Sequence, residues 1–243
     1  MWIGIVLVLA WATIDTDLSL VKLASGIGNF AQFLTEFFPP NFQRWATYLE
    51  QVLLTVKMAM WGTVLAFIAA VPLSVLAAKN TSPHPVIYQV TRRILDLLRG
   101  LNEFVLALLF VAAVGLGPFP GILALAVHTT GILAKLFSEG IEIIDPGQVE
   151  AVRASGGSSL QVFTHAVWPQ VVPHVVSMTL YRFESNVRGA TVLGIVGAGG
   201  IGFYITEAIR GFDFRAASAI ILLILATVFV VDFTSSKIRE RLT

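Results

Sequence analysis

Three charged side chains lie inside a long apolar stretch, and they are the first residues of this sequence that could do chemistry. Arg182, Glu184 and Arg188 fall within residues 171–196, a stretch long enough to span a membrane. Each charge there costs about 2.5–3.5 kcal/mol on insertion scales, so each must face a protein partner or a wet cavity. A guanidinium in such a place can hold an oxyanion through two parallel hydrogen bonds.

Helical spacing predicts how these charges meet. Glu184 and Arg188 are four residues apart and are predicted to pair along one helical face. Arg182 lies about 200° around the helix from Glu184, so it needs another partner. Two further polar candidates are Asn186, between the charges, and His128, in an earlier apolar stretch beside two threonines. For His128, a hydrogen bond to a neighbouring helix is favoured over contact with a cargo.

A polar segment between two apolar stretches, residues 138–169, carries the signals of a helix–turn–helix. An aspartate followed by proline predicts a helix start, with a short helix over residues 148–155. Two glycines are predicted to end that helix, and a serine–glutamine capping box to begin a second one. A final proline marks the start of the next apolar stretch. The residues that carry these signals are Asp145, Pro146, Gly156, Gly157, Ser158, Gln161 and Pro169.

Part of this segment also has a recognisable spacing. Glu150 and Ala151 come first, Gly156 stands six residues after Glu150, and Pro169 stands thirteen residues after Gly156. This spacing resembles the EAA loop of ATP-driven importer permeases, in which Glu-Ala-Ala, three residues, Gly, nine residues and Ile-x-Leu-Pro follow in order. The positions that depart from that pattern are Val152, Ala166 and Trp168.

The flanking segments are more specific than the loop. A long run over residues 177–202 and shorter ones over residues 92–96, 114–119 and 128–131 resemble the phosphonate importer permease family. Together they extend from about residue 40 to the C-terminus. The resemblance implies an all-α, polytopic membrane bundle of about six transmembrane helices, with the MetI-like fold of type I ABC importer permeases.

The resemblance also implies a set of partners. In that family two permease subunits form the pore, here expected to be a homodimer, and a cytoplasmic ATPase attaches to each through its coupling helix. A periplasmic binding protein delivers phosphonate. The residues expected at the ATPase contact are Glu150, Ala151, Arg153 and Gly156. The residues expected along the translocation path or gate are Arg182, Glu184, Asn186, Arg188 and His128.

Several alternatives stay open at this point. Either Arg182 or Arg188 lines the path of a phosphonate anion, or the charges form a buried ion-pair network that fixes helix packing or closes the gate. The cargo of the importer could instead be phosphite, a phosphate ester or another small oxyanion. In different classes, the chain could be an ATPase-independent secondary transporter or channel, or a structural membrane protein.

The chain is not expected to be an enzyme, to bind nucleic acid, or to hold a metal or cofactor. It lacks the G-x-x-x-x-G-K-[ST] phosphate loop, so ATP hydrolysis is assigned to a partner. The glycine-rich residues 197–202 contain no lysine and follow a predicted membrane span rather than a strand. No His, Asp or Glu cluster has metal-ligand spacing, no nucleophile–base pair is visible, and there are no cysteines.

The composition indicates what kind of element must position these residues. The chain has 243 residues, of which 56% are hydrophobic and 13% are charged. Soluble domains carry about 25% charged residues, so this chain is expected to reside in a membrane. Its apolar runs are continuous rather than alternating, which favours transmembrane helices.

The hydropathy pattern predicts six membrane spans and two regions. Residues 1–48 are assigned to an N-terminal helix and a periplasmic interfacial segment. Residues 49–243 are assigned to the transmembrane domain, which contains the coupling loop at residues 138–169. An amphipathic helix at residues 86–100 precedes the third span. The predicted spans are residues 2–13, 50–78, 102–114, 122–137, 171–196 and 216–233.

The distribution of lysine and arginine predicts the orientation. Nine of them fall on the side that holds residues 79–100, residues 138–169 and the C-terminus, and four fall on the other side. This bias predicts a multi-pass protein of the bacterial inner membrane, with both termini in the cytoplasm. Residues 1–12 are apolar but lack a basic stretch and a small-residue cleavage site. A first helix is therefore expected rather than a cleavable signal peptide.

Overall fold

A computed structural model describes residues 2–16 and 20–240, and all regular structure in these ranges is helical. They contain eleven α-helices, one π-helical turn and one 3-10 turn, and neither range contains a β-strand. The predicted all-α fold is confirmed. The α-helices, numbered α1 to α11 in chain order, are Trp2–Asp15, Leu20–Thr35, Trp45–Ala77, Pro85–Gly100, Glu103–Val114, Pro118–Glu142, Pro146–Ala154, Ser159–Val162, Trp168–Leu193, Ile201–Arg210 and Phe214–Glu240.

Three helices in the described ranges, α3, α6 and α11, are long and apolar enough to cross a membrane alone. Two bent pairs raise the number to five. They are α4 with α5, bent by 86°, and the helical run Ser159–Val196 with α10, bent by 49°. The separate span predicted at residues 102–114 is wrong, because α5 has 12 residues and extends only about 18 Å. It can cross only together with α4, the predicted amphipathic helix.

The first helix, α1, is shorter than a full span, and the segment before α3 is attached to the start of α11. The span predicted at residues 2–13 is α1, whose 14 residues extend about 21 Å, less than the ~30 Å hydrocarbon core. Further along, Ser218 Oγ donates to Phe37 O at 2.7 Å, and Asn41 N donates to Arg215 O at 2.9 Å. These bonds attach the segment before α3 to the end of the bundle opposite residues 138–169.

Helices α3 and α6 lie side by side and form the centre of the bundle. At Gly62 of α3, an added Cβ would lie 2.7 Å from Leu125 Cβ of α6. Helix α4 crosses α6 at Gly131, where an added Cβ would lie 2.7 Å from Arg99 N. Small residues at such crossings let helix backbones approach closely. The crossing at Gly131 therefore positions the α4–α5 bend beside the middle of α6.

The glycine-rich segment forms a tight turn between α9 and α10. Gly197, Gly199 and Gly200 have φ angles of +85°, +78° and +75°, which glycine adopts without steric cost. At Gly202 an added Cβ would lie 1.9 Å from Thr191 O. Backbone conformation and close packing thus account for the glycines of this segment.

Thr55 of α3 caps the start of α10 from a neighbouring helix. Its hydroxyl accepts a hydrogen bond from Ile201 N at 2.9 Å and donates to Gln51 O at 2.8 Å. In a Thr55→Val variant the buried Ile201 N–H is expected to lose its partner, at a cost of about 1–3 kcal/mol. A lower thermal unfolding midpoint in detergent measures that loss. Thr227→Val is the matched control, because its hydroxyl bonds within its own helix to Leu223 O; equal losses in both variants would contradict the capping role.

Candidate functional site

The coupling loop contains a short, capped and accessible helix, α7. The Asp145 side chain accepts a hydrogen bond from Gly147 N at 2.9 Å, and Pro146 is the first helical residue. The helix predicted at residues 148–155 is confirmed, although it starts two residues earlier and ends one residue earlier. None of its residues is buried. Most of the surface of helix α7 is therefore accessible.

Two glycines and a capping box form the turn after α7, as predicted. Gly156 has a φ of +82°, and Gly157 N donates to Val152 O at 3.0 Å. Ser158 N donates to Gln161 Oε1 at 2.8 Å, and the Ser158 hydroxyl accepts from Gln161 N. Helix α8 then continues through the π-helical turn into α9. The second helix of the loop is therefore the beginning of the fifth predicted span.

Gln170 attaches α7 to the base of α9. Its Oε1 accepts a hydrogen bond from Asp145 N at 3.0 Å, and its Nε2 donates to Ala166 O at 2.7 Å. The Trp168 ring lies 6.0 Å from the Phe163 ring, so the tryptophan that departs from the family pattern packs inside the loop. These contacts join the start of α7 directly to the start of α9.

A cleft of about 880 Å³ separates α7 and α8 from the end of α3. Glu150 and Arg153 line it, together with the exposed Leu160. Ala151 and Gly156 are exposed on the same loop. All four residues predicted at the ATPase contact are therefore accessible on one surface.

A polar corner next to this cleft joins α3, α4 and α6. Arg92 Nη2 lies 2.9 Å from Glu142 Oε1, and Arg92 Nε donates to Ala77 O at the end of α3. Glu142 Oε1 also accepts a hydrogen bond from Lys79 N at 2.7 Å. A cation is favoured at a helix C-terminus, where the carbonyl groups lack partners. The sequence carries no local signal for this corner, because its members come from three helices.

The charges of α9 pair with α11 rather than with each other. Glu184 Oε1 accepts a hydrogen bond from Arg239 Nη2 at 2.9 Å, and the Glu184 side chain is 7% exposed. Arg188 Nη1 donates to both carboxylate oxygens of Asp232, at 2.9 and 3.0 Å. The predicted pairing of Glu184 with Arg188 is wrong, because α11 brings an opposite charge to each of them.

The partners on α11 come from its polar end. Helix α11 has no charged side chain over residues 216–231, and Asp232 is the first charge that follows. Asp232 and Arg239 were missed as site residues. The only sequence signal for them was the change from apolar to polar residues at the end of the sixth predicted span. Because this polar end packs on α9, the charges of α9 are balanced within the bundle.

Asn186 is buried and connects three helices. Its Oδ1 accepts a hydrogen bond from Thr129 of α6 at 3.0 Å, and its Nδ2 donates to Thr63 of α3 at 2.9 Å. The residue is 2% exposed. Both polar groups of its side chain are thus turned into the bundle, where hydrogen bonding offsets the cost of their burial.

Glu103, His128 and Arg182 form a polar cluster between α5, α6 and α9, called the Arg182 cluster below. His128 Nδ1 lies 2.7 Å from Leu101 O, and its Nε2 lies 3.1 Å from Glu103 Oε2. Arg182 interacts electrostatically with Glu103. The Arg182 Nε is buried and has no hydrogen-bond partner in residues 2–16 and 20–240. A buried donor without a partner is costly, so Arg182 is the least satisfied member of this cluster.

Comparisons with known proteins identify the family. Residues 70–242 match the family model described as binding-protein-dependent transport system inner membrane component. The matched part of the chain contains the coupling loop, the Arg182 cluster and the ion pairs between α9 and α11. The family resemblance of the sequence is confirmed.

Several curated permeases are similar to the chain. The phosphite transport system permease protein of Stutzerimonas stutzeri is 39% identical over 98% of this chain and 86% of its own length. The phosphate-import permease protein of Mycolicibacterium smegmatis is 40% identical over 96% of this chain and 43% of its own length. A putative cryptic phosphonate transport system permease protein of Escherichia coli K12 is 54% identical over 49% of this chain and 97% of its own length.

Solved structures share the fold. Inward-facing conformations of the MetNI methionine ABC transporter match with a TM-score of 0.73, over 84% of this chain and 99% of theirs, at 19% identity. A bacterial ABC transporter involved in the import of alginate matches with a TM-score of 0.65 over 100% of this chain and 96% of its own, at 17% identity. These likenesses confirm the MetI-like fold. The chain therefore belongs to the family of binding-protein-dependent transport system inner membrane components and is a multi-pass permease subunit of an ABC importer.

Proposed function

We propose that the chain is the transmembrane permease subunit of an ATP-driven importer for phosphonate. It forms the translocation path and couples to cytoplasmic ATPase subunits and to a periplasmic phosphonate-binding protein. The accessible, capped helix α7, attached to α9 through Gln170, is the observation that carries this proposal. A helix held in this manner can move as a rigid lever when the ATPase closes on ATP.

Phosphonate is the proposed cargo because Arg182 offers a guanidinium to a tetrahedral oxyanion. The relatives support a phosphorus oxyanion, since their names specify phosphite, phosphate and phosphonate. Phosphite is the second candidate, because the phosphite permease is similar over 98% of this chain. The family match favours either importer over an ATPase-independent transporter.

The two interpretations of the charges in α9 apply to different residues. The pairing of Glu184 and Arg188 with α11 supports a packing or gating network. Arg182 belongs to the translocation path, and the unpartnered Nε of its side chain supports that assignment. His128 acts on the translocation path through Glu103. Asn186 holds α9 to α6 and α3.

The coupling surface is formed by α7 and the turn after it. Glu150 meets a basic group in a groove of the ATPase, and Arg153 and Ala151 contact the same groove. Gly156 sets the angle of the turn, because its φ of +82° directs the chain back towards α9. ATP is hydrolysed by the partner and not by this chain.

A second permease subunit, proposed to be an identical copy, completes the pore. Both termini lie in the cytoplasm of a bacterium, with the protein in its inner membrane. Residues 1–48 form an N-terminal helix and a periplasmic interfacial segment, and residues 49–243 form the transmembrane domain. The bond from Ser218 to Phe37, at the end of the bundle opposite α7, supports the periplasmic assignment of that segment.

Reversing the charge of Glu150 is expected to detach the ATPase. In a Glu150→Arg variant the proposed basic partner faces another cation, so the amount of ATPase that copurifies in detergent is expected to fall at least about tenfold. Gly156→Pro is expected to have the same result, because proline cannot adopt a positive φ. Quantitative immunoblots of the purified complex measure the ratio of ATPase to permease.

The matched control is Glu50→Arg, the same charge change on an exposed residue at the opposite end of α3. It is expected to leave the ATPase ratio unchanged. A Glu150→Arg permease that retains a full complement of ATPase would show that α7 is not the docking helix. Transport by the permease in liposomes without any ATPase would contradict the ATP-driven proposal.

A further inference from the structure

The hydrogen bonds of His128 imply that the Arg182 cluster holds an additional proton. A carbonyl oxygen only accepts, so His128 Nδ1, at 2.7 Å from Leu101 O, carries a hydrogen. In neutral imidazole Nε2 then has a lone pair, which would face a Glu103 oxygen at 3.1 Å unfavourably. Either Nε2 is protonated, or the Glu103 carboxyl is protonated and donates to Nε2. In both cases the His128–Glu103 pair is neutral as a whole.

The net charge of the cluster depends on that one proton. While the pair holds it, the guanidinium of Arg182 is an uncompensated positive charge. When the proton leaves, the Glu103 carboxylate balances Arg182 and the cluster becomes neutral. Effective dielectric constants inside proteins are about 20 rather than 80. A change of one charge beside Arg182 therefore alters anion binding substantially.

Other charged groups around the cluster form ion pairs of their own. On α4, Arg99 lies 3.6 Å from Asp96, a carboxylate that also pairs with Lys135 and Arg93. The remaining titratable neighbour on α9 is Tyr181, which interacts electrostatically with Arg182. The pairs between α9 and α11 are Glu184 with Arg239 and Arg188 with Asp232. The Glu103–His128 pair is therefore the group whose protonation acts on Arg182.

We propose that Glu103 and His128 decide whether Arg182 is free to bind a phosphorus oxyanion. The protonated pair leaves the guanidinium open to the anion. Without its proton, the pair supplies an internal counter-ion, Glu103, which competes with the cargo for Arg182. This inference rests on the proposed place of Arg182 on the path of the cargo.

Substitutions that fix the charge of the pair test this inference better than a pH series, because phosphite and phosphonates themselves change charge near neutral pH. Glu103→Gln keeps the cluster at its positive charge. His128→Gln removes the proton but keeps a donor for Leu101 O, so that Glu103 neutralises Arg182 permanently. The double variant restores the positive charge.

Uptake of radiolabelled phosphite is measured at one fixed pH in proteoliposomes that contain the permease, its ATPase and its binding protein. The His128→Gln variant is expected to lose at least about tenfold in uptake, whereas Glu103→Gln, which removes the competing carboxylate, is expected to lower the half-saturating phosphite concentration. The double variant is expected to recover to within about threefold of the wild type. A hydrogen bond that only held α5 to α6 would not give such a recovery, since the double variant removes both of its members.

Failure of the recovery would overturn the inference, and so would a higher half-saturating phosphite concentration in Glu103→Gln alone. If Arg182→Gln abolishes uptake while the double variant stays impaired, only the role of the pair is wrong. If Arg182→Gln transports normally, the place of Arg182 on the path is wrong as well. Copurification of the ATPase measures whether each variant assembles. If His128→Gln does not assemble, His128→Asn takes its place.

Discussion

Replacing Arg182 with glutamine is expected to reduce phosphonate or phosphite uptake by about 100-fold in proteoliposomes that contain the whole importer. The variant loses charge-assisted hydrogen bonds to the anion, worth about 3 kcal/mol in total, and each 1.4 kcal/mol is about tenfold. Arg182→Lys keeps the charge but loses the planar, two-pronged geometry, so an intermediate loss of about tenfold is expected. Initial rates of uptake at saturating ATP measure both effects.

The control for this experiment is Arg93→Gln. Arg93 lies on α4 with a side chain 84% exposed, so removing its charge is expected to leave uptake within about twofold of the wild type. Unchanged uptake in Arg182→Lys, at normal membrane levels, would count against two-pronged binding of the anion. Unchanged uptake in Arg182→Gln would remove Arg182 from the path altogether.

Breaking the ion pair between Glu184 and Arg239 is expected to have the largest effect on stability. In an Arg239→Met variant the Glu184 carboxylate, 7% exposed, loses the guanidinium that balances it. Leaving one member of a buried pair without its partner costs about 3–5 kcal/mol. For a chain of this size that corresponds to a fall of about 10 °C in the thermal midpoint, measured in detergent. The double variant Glu184→Leu/Arg239→Met is expected to recover most of the loss, because no buried charge remains.

The second ion pair of α9 provides the comparison. Arg188 and Asp232 have side chains 45% and 43% exposed, so neither charge is enclosed by this chain. Arg188→Met is therefore expected to cost no more than about 1 kcal/mol, or about 3 °C. Equal falls in Arg188→Met and Arg239→Met would contradict the assignment of the larger effect to burial. A double variant as unstable as Arg239→Met alone would contradict it too.

The coupling loop could be predicted in detail from sequence. Its Asp145 cap, its positive-φ Gly156 and its capping box from Ser158 to Gln161 are all present. Each of these features depends on residues no more than four positions apart, so the chemistry that specifies them is contained in a short window.

The partners of the charges in α9 could not be predicted in the same manner. The spacing of Glu184 and Arg188 favours a pair within one helix, worth only about 0.2–0.5 kcal/mol. A carboxylate and a guanidinium from α11 offer better geometry, and they outcompete that weak local pair. Nothing near residue 184 in sequence indicates that Arg239, 55 positions later, lies beside it.

The bend between α4 and α5 is a similar case. The hydropathy pattern predicts an amphipathic helix followed by an apolar one at the right residues, with Asn102 at the start of the second. The 86° angle between them comes from the crossing of α4 over Gly131 of α6, a contact between distant parts of the chain. A pair bent this sharply forms either one broken crossing or a re-entrant loop.

The sequence by itself determined the helical membrane class, the caps and turns of the coupling loop, and the family of importer permeases. The class, the caps and the turns follow from composition, from apolar run lengths and from interactions within one helical turn, whereas the family follows from the resemblance of motifs along the chain. Only the tertiary structure decided which charges meet: Glu184 with Arg239, Arg188 with Asp232, and His128 with Glu103 beside Arg182. The physical reason is that a buried charge takes the best partner that packing brings within reach, and packing joins residues that are far apart in the chain.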